Sequence, residues 1–164
     1  MLTYEPSAKQ DLALYQWYEQ LVLSGDMKKA FGQAYWSLSA FLSNFQEPTV
    51  LLSESDDKGF WFCLWAKPGY EGTADVHVWI REEKRRTKDA LTAVTLGLTT
   101  LFQRFAMLMG ITQDETIADE HLKLGFVRLG VLPKIGDGAD MYINYLTRES
   151  FELFLQRPKL VRHG

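Results

Sequence analysis

The stretch Thr73 to Gly110 reads TADVHVWIREEKRRTKDALTAVTLGLTTLFQRFAMLMG, and its reading decides the fold. Val76, Val78 and Ile80 alternate along one face of a strand. A cluster of charge follows, Arg81-Glu-Glu-Lys-Arg-Arg86 with Lys88. Leu91, Val94, Leu98, Leu101, Phe102 and Phe105 then recur at the spacing of a helix face. A second apolar run, Phe105 to Met109, ends at Gly110. Strand, charged turn, long helix and strand together predict a right-handed parallel crossover. A ligand belongs where the first strand opens into the helix, because free N–H groups and the helix dipole favour an anion there.

Upstream, Lys67-Pro-Gly-Tyr-Glu-Gly72 is a turn into this unit. Before it, Val50 to Glu54 and Phe60 to Ala66 flank Ser55-Asp-Asp-Lys-Gly59, a hairpin turn with glycine available for a positive φ. Phe60-Trp-Phe-Cys-Leu-Trp-Ala66 is apolar on both faces and predicts an interior strand, with Trp61 and Trp65 on one side and Phe62 and Leu64 on the other. At the start of the chain, Leu2 to Glu5 reads as a short strand, and Ser7-Ala-Lys-Gln10 matches a capping box. The helix it opens has Leu14, Tyr18, Leu21 and Val22 as its apolar face and stops at Ser24-Gly25-Asp26. Met27, Phe31, Ala34, Tyr35, Leu38, Phe41, Leu42 and Phe45 predict one further helix, ended by Gln46-Glu47-Pro48. Such an aromatic stripe is core far more often than a ligand box.

Downstream of Gly110, a short helix spans about Thr116 to Leu124, with Gly125 placed to end it. Phe126 to Leu132 and Met141 to Leu146 are strands joined by Pro133 to Asp140, where Gly136 and Gly138 flank Asp137 in a turn. Thr147-Arg-Glu begins a last helix bearing Phe151, Phe154 and Leu155. The expected architecture is α/β (α+β), a mixed central sheet of six to seven strands with helices on both faces. It forms one domain over residues 1–164, of which 147–164 is a C-terminal helix and tail.

Composition narrows the function classes. With 46% apolar residues, five Trp, seven Tyr and ten Phe, the chain buries a core and is not disordered. A net charge of −3 gives no case for nucleic-acid binding, since the only basic cluster is local. The lone Cys63 lies in an apolar run, so neither a disulfide scaffold nor a cysteine metal site is expected, and three scattered histidines have no metal-ligand spacing. There is no Walker loop and no serine nucleophile elbow. The opening MLTYEPSAKQ has no basic stretch followed by an apolar one, and no segment has the length of a membrane span, so a cytoplasmic protein is expected.

The element order is strand, two helices, three antiparallel strands, long helix, strand, short helix, two strands. In that order and spacing, over about residues 2 to 146, the chain resembles the GNAT acetyltransferase superfamily. Leu2-Thr-Tyr-Glu-Pro-Ser-Ala-Lys-Gln-Asp11-Leu is similar to that family's opening strand and the Asp of its first helix. Ala118-Asp-Glu-His-Leu-Lys-Leu-Gly-Phe126 resembles its late signature, a short helix ending in Leu-Gly-Phe. The resemblance implies a GNAT-like sheet and transfer of acetyl from acetyl-CoA to an amine on a small molecule or a protein. It also implies that the backbone of Val78, Trp79 and Ile80 pairs with the pantetheine arm.

Two departures carry chemical weight. The family's pyrophosphate loop, Arg/Gln-x-x-Gly-x-Gly/Ala, corresponds here to Glu83-Lys-Arg-Arg-Thr-Lys88, which has no glycine. Lys84, Arg85, Arg86 and Lys88, with Thr87 among them, supply charge in its place. Alternatively Glu82 and Glu83 satisfy the helix dipole and the basic residues form a solvated face. The second departure is His121, at the distance from Leu-Gly-Phe where the family often carries a tyrosine that protonates the leaving thiolate; histidine is chemically able to do so, and a surface or half-buried histidine on a short helix fits the same position. His77, in the fourth strand, is a candidate base for the acceptor amine or a hydrogen-bonded packing residue.

Glycine-poor, basic versions of this pattern also resemble GNAT-like proteins of short-tailed bacteriophages, some of them internal virion proteins. That likeness rests on the Val76-His-Val-Trp79 strand, the Lys/Arg run and the Leu-Gly-Phe turn. It implies a catalytically silent protein whose partner is a virion or host protein.

Overall fold

The computed structural model describes residues 3–4, 7–31, 36–46, 48–134 and 138–157, with only the backbone path for 3–4, 7–11 and 29. The capping box at Ser7 to Gln10, the Asp11 side chain, Ala34, Tyr35, the Gly136-Asp137 part of the turn and the tail beyond Arg157 lie outside what is described.

Seven strands form one mixed sheet in the order β1-β2-β3-β4-β5-β7-β6. These are β1 (Thr3–Tyr4), β2 (Val50–Asp56), β3 (Gly59–Pro68), β4 (Thr73–Ile80), β5 (Met107–Thr112), β6 (Val127–Leu132) and β7 (Met141–Thr147). Six helices accompany them: α1 (Ser7–Ser24), α2 (Met27–Phe31), α3 (Leu38–Ser43), α4 (Lys88–Leu101), α5 (Glu115–Lys123) and α6 (Arg148–Gln156). The expected mixed α/β sheet is therefore present. The chain divides into two compact units, Met1–Pro68 with His77–Gln103, and Gly69–Val76 with Arg104–Gly164, so β4 contributes to both.

In the first unit β2 and β3 form the expected hairpin, closed at Gly59 with φ +97°. Side chains alternate across β3 as its pattern requires. Trp65 and Cys63 join a core with Leu14, Trp17, Leu21, Phe41 and Phe45 of the N-terminal helices. Phe62 and Leu64 face α4, where a Cβ on Gly97 would stand 3.2 Å from Leu64 Cδ1 and 3.7 Å from Phe62 Cζ. The glycine lets the helix lie close on the strand.

Two expectations fail here, for physical reasons. The run from Met27 to Phe45 is not one helix; α2 ends at Phe31, and α3 starts after Ser37, whose hydroxyl accepts from Ala40 N at 3.2 Å. In a continuous helix Phe31 and Phe45 would be separated by about 21 Å at 1.5 Å per residue. Their rings are instead 6.1 Å apart, and both pack on Trp17 at 5.7 Å. The break wraps the aromatic residues round one indole. On α1, Val22 is 50% exposed, and Trp17, absent from the predicted face, is the buried member with Leu14 and Leu21.

On α4, likewise, Leu91 is exposed, and the buried face is Ala90, Ala93, Val94, Gly97, Leu98 and Leu101. The helix stops at Leu101, with Phe102 as its cap, so Phe105 is buried beyond it. In the second unit the parallel ladder of the crossover pairs Thr73 with Met107, Ala74 with Leu108 and Asp75 with Met109. β5 does not end at Gly110 but continues to Thr112 along β7. Asp114 caps α5, accepting from Thr116 N at 2.8 Å, and Gly125 (φ +92°) ends the turn after it as expected. Thr147 and Ser150 form a capping box for α6. Phe151 is buried there, while Leu155 lies exposed.

Candidate functional site

In the first unit, the second half of β4 leads through a single 3-10 turn, Glu82–Lys84, into α4. Alternation puts His77 and Trp79 on the face toward the N-terminal helices. The His77 ring stacks on Trp65, 5.2 Å between centroids and 16° between planes. Trp79 is 3% exposed within the aromatic core, so its contribution to any ligand is through its backbone. Val78 on the opposite face is 39% exposed.

The basic cluster sorts into two groups. Arg81 and Lys84 turn to the β2–β3 hairpin. Arg81 Nη2 donates to Asp56 Oδ2 at 2.7 Å, and its Nε lies 2.6 Å from Glu83 Oε1. Lys84 Nζ is 3.8 Å from the same Asp56 oxygen and sits over the Trp61 ring at 5.6 Å. The Arg81 hydrogen bond holds the Asp56 carboxyl below the usual carboxylate range. Glu83 is held low by a bond to its own backbone N–H and by Arg81. Lys84 thus lies on the hairpin side, within long ion-pair range of an Asp56 that Arg81 already holds, which sequence spacing gives no means of seeing.

Arg85, Arg86 and Lys88 form the second group, all exposed. Arg85 Nε donates to Ile80 O at 2.9 Å, which ties the turn back to the end of β4 and occupies that carbonyl. Arg86 has φ +62°. The left-handed backbone that glycine supplies without strain is present, carried by an arginine. Thr87 caps α4: its hydroxyl accepts from Ala90 N at 3.2 Å and donates to Lys84 O at 2.7 Å. Leu91 N donates to Thr87 O at 3.2 Å. The N–H groups of Lys88 and Asp89 remain as the donors of the helix end. The Asp89 carboxylate shares that first turn and opposes an anion.

His121 lies in the second unit, on α5. It is half-buried, stacked on Phe126 at 5.1 Å and laid over Gly110 of β5. A Cβ at Gly110 would be 2.7 Å from its Cε1 and Nδ1, so the glycine makes room for the ring. Its Nδ1 is 3.3 Å from Nδ2 of Asn144, a fully buried residue of β7 that sequence reading did not single out. The signal was faint, a lone Asn in the apolar run MYINYLT.

Among the described residues no group of His, Cys, Asp and Glu is arranged to hold a metal, and no helix is long and apolar enough to cross a membrane. Cys63 is buried, and burial pushes its thiol well up.

No protein-family model and no curated protein sequence matches the chain. Solved structures do. Aminoglycoside 6'-acetyltransferase type Ii superposes with a TM-score of 0.69 at 16% identity, covering 96% of this chain and 99% of that one. The chain has the GNAT fold. Spermidine N-acetyltransferase from Vibrio cholerae in complex with CoA and spermine gives 0.64 at 14% identity, over 93% of this chain and 97% of that one. Ribosomal-protein-alanine N-acetyltransferase from Brucella melitensis gives 0.65 at 14%, over 90% and 99%. At such identities the likeness carries the GNAT fold and nothing further. None of it supports the bacteriophage resemblance.

Proposed function

We propose that this chain is an N-acyltransferase that moves acetyl from acetyl-CoA to an amine acceptor, a small molecule or a protein. The observation that carries the reading is the turn at Arg86. It keeps the left-handed backbone of a phosphate-binding loop, and it opens a helix end beside three exposed cations. The neighbours named above act on spermidine, an aminoglycoside and a ribosomal-protein alanine, all amines by name. In this reading the pyrophosphate meets Arg85, Arg86, Lys88 and the N–H groups of Lys88 and Asp89. The pantetheine arm follows the backbone of Val78 and Trp79; Ile80 contributes its N–H, its carbonyl being held by Arg85. The amine nitrogen bonds to the thioester carbonyl carbon, the C–S bond breaks, and the proton lost from nitrogen ends on sulfur. Positioning supplies most of the rate. His77 is assigned to the amine and His121 to the leaving sulfur.

The test is calorimetric titration with acetyl-CoA at low and moderate salt. Saturable binding is expected. Arg85→Ala and Arg86→Ala should each weaken it by about tenfold, the size of one charge-assisted hydrogen bond, with the larger loss at low salt. No heat at about millimolar acetyl-CoA, a concentration that detects affinities as weak as about −4 kcal/mol, would overturn the reading and leave a GNAT fold without catalysis.

A further inference from the structure

Three residues stand in one row across the second unit's sheet. Gly110 of β5 pairs with Asn144 of β7, and Asn144 pairs with Arg128 of β6. Residues directly opposite in neighbouring strands project to the same face, and this row lies beneath His121. Gly110 clears space for the ring. Asn144, 0% exposed, is fully engaged. Its Nδ2 donates to Ala118 O of α5 at 3.0 Å, and its Oδ1 accepts from Arg128 Nε at 3.2 Å. Arg128 is steadied in turn by Asp119 at 3.0 Å and by the Tyr142 ring at 5.1 Å.

These two bonds fix which way round the Asn144 amide lies. A backbone carbonyl only accepts and a guanidinium only donates, so the nitrogen must face Ala118 and the oxygen must face Arg128. The second hydrogen of Nδ2 then points at His121 Nδ1, 3.3 Å away. A donor facing Nδ1 requires a bare lone pair there. In the neutral ring the proton is then on Nε2, and in the imidazolium two N–H groups would confront one another.

We infer that Asn144 is a positioning residue that holds His121 as the neutral Nε2–H tautomer. His121 then serves as a fixed hydrogen-bond donor and not as a charged acid. The consequence for catalysis rests on the acyltransferase reading: Nε2–H stabilises the departing thiolate by hydrogen bonding, and the proton that finally reaches sulfur is the one lost by the amine. The tautomer itself does not depend on that reading.

Long-range ¹H–¹⁵N correlation of the ¹⁵N-labelled full chain at neutral pH tests it. His121 Nδ1 should resonate as the unprotonated nitrogen and Nε2 as the protonated one. A protonated Nδ1, whether in the other tautomer or in the imidazolium, overturns the inference without any variant. Asn144→Asp keeps an acceptor for Arg128 but turns an acceptor toward His121, so the proton should move to Nδ1 or the ring should become doubly protonated. An unchanged His121 pattern in a folded Asn144→Asp protein also overturns it. If Asn144→Asp fails to fold, the wild-type spectrum decides alone. Where acetyl transfer is measurable and the Asn144→Asp spectrum places the proton on Nδ1 alone, that variant should lower kcat by about a hundredfold, as loss of one preorganised donor does, with KM for acetyl-CoA unchanged. An unchanged kcat removes Asn144 from the reaction. Absence of all acetyl-CoA binding removes the acyltransferase reading and leaves the tautomer to the spectrum.

Discussion

Replacing Arg86 by glycine should make the protein more stable, although it removes a side chain. The left-handed conformation costs a residue with a Cβ about 1–2 kcal/mol, and Arg86 occupies it at φ +62°. Glycine removes that strain but has more freedom in the unfolded chain, which offsets about 0.5–1 kcal/mol. The exposed Arg86 side chain leaves little else to lose. A net gain of about 0.5–1 kcal/mol raises Tm by about 1–4 °C for a chain of this length. Arg85→Gly is the control. Arg85 sits at φ −61° and ψ 143°, where any residue is at ease, and its Nε holds Ile80 O. Glycine there should cost about 1 kcal/mol or more. Arg86→Ala keeps the strain and discards the charge, so it should melt close to the parent. The assay is thermal unfolding of all four proteins by circular dichroism. Arg86→Gly melting at or below Arg86→Ala would show that the turn is not left-handed at this residue, and the argument for a phosphate-binding loop would lose its backbone.

Trp17→Ala should cost about 3–5 kcal/mol in urea titration, because five aromatic rings pack on that indole; a loss under about 1 kcal/mol would mean the cluster is not the core. Asp56→Asn tests the ion cluster through pH. The Asp56 carboxyl is held below its ordinary value, so its contribution is complete above that value, about 3.9, and is lost as pH falls through the folded one. Parent and variant should therefore differ most near neutrality, begin to approach one another at about pH 4 and converge only below the depressed folded value, and a constant gap from acid to neutral pH would refute the pairing with Arg81.

What was legible in the sequence was whatever a period or a breaker writes locally. The alternation of Val76, Val78 and Ile80, the all-apolar run of β3 and the Leu-Gly-Phe turn each name an element and a face, and the sheet followed from them. The misplaced elements have one cause. Met27 to Phe45 satisfies helical spacing, yet tertiary packing round Trp17 overrides it, because bringing Phe31 and Phe45 to the same ring requires two helices and not one, the second opening at an extended Ser37 cap. Small residues misled in the same way: Ala90, Ala93 and Gly97 are the buried face of α4 because the helix lies close to β3, and a count of large apolar residues passes over them.

The site was legible as chemistry and not as geometry. Sequence shows four cations opening a helix without a glycine; it does not show that Lys84 is drawn to Asp56, some thirty residues away in the chain. Nor does it show that the turn takes a glycine's backbone in the absence of a glycine. A strained φ persists only where the surroundings over-determine it, and here they do from both sides. Arg85 is tied by its Nε to Ile80 O at the end of β4. Thr87 is tied by its hydroxyl to Lys84 O behind it and Ala90 N ahead of it. Between two clamped neighbours Arg86 has no freedom to relax to a negative φ, so the conformation belongs to the bonds on either side and not to the residue that adopts it. Losing the Thr87 hydroxyl should therefore release a turn that losing the Arg86 side chain leaves in place.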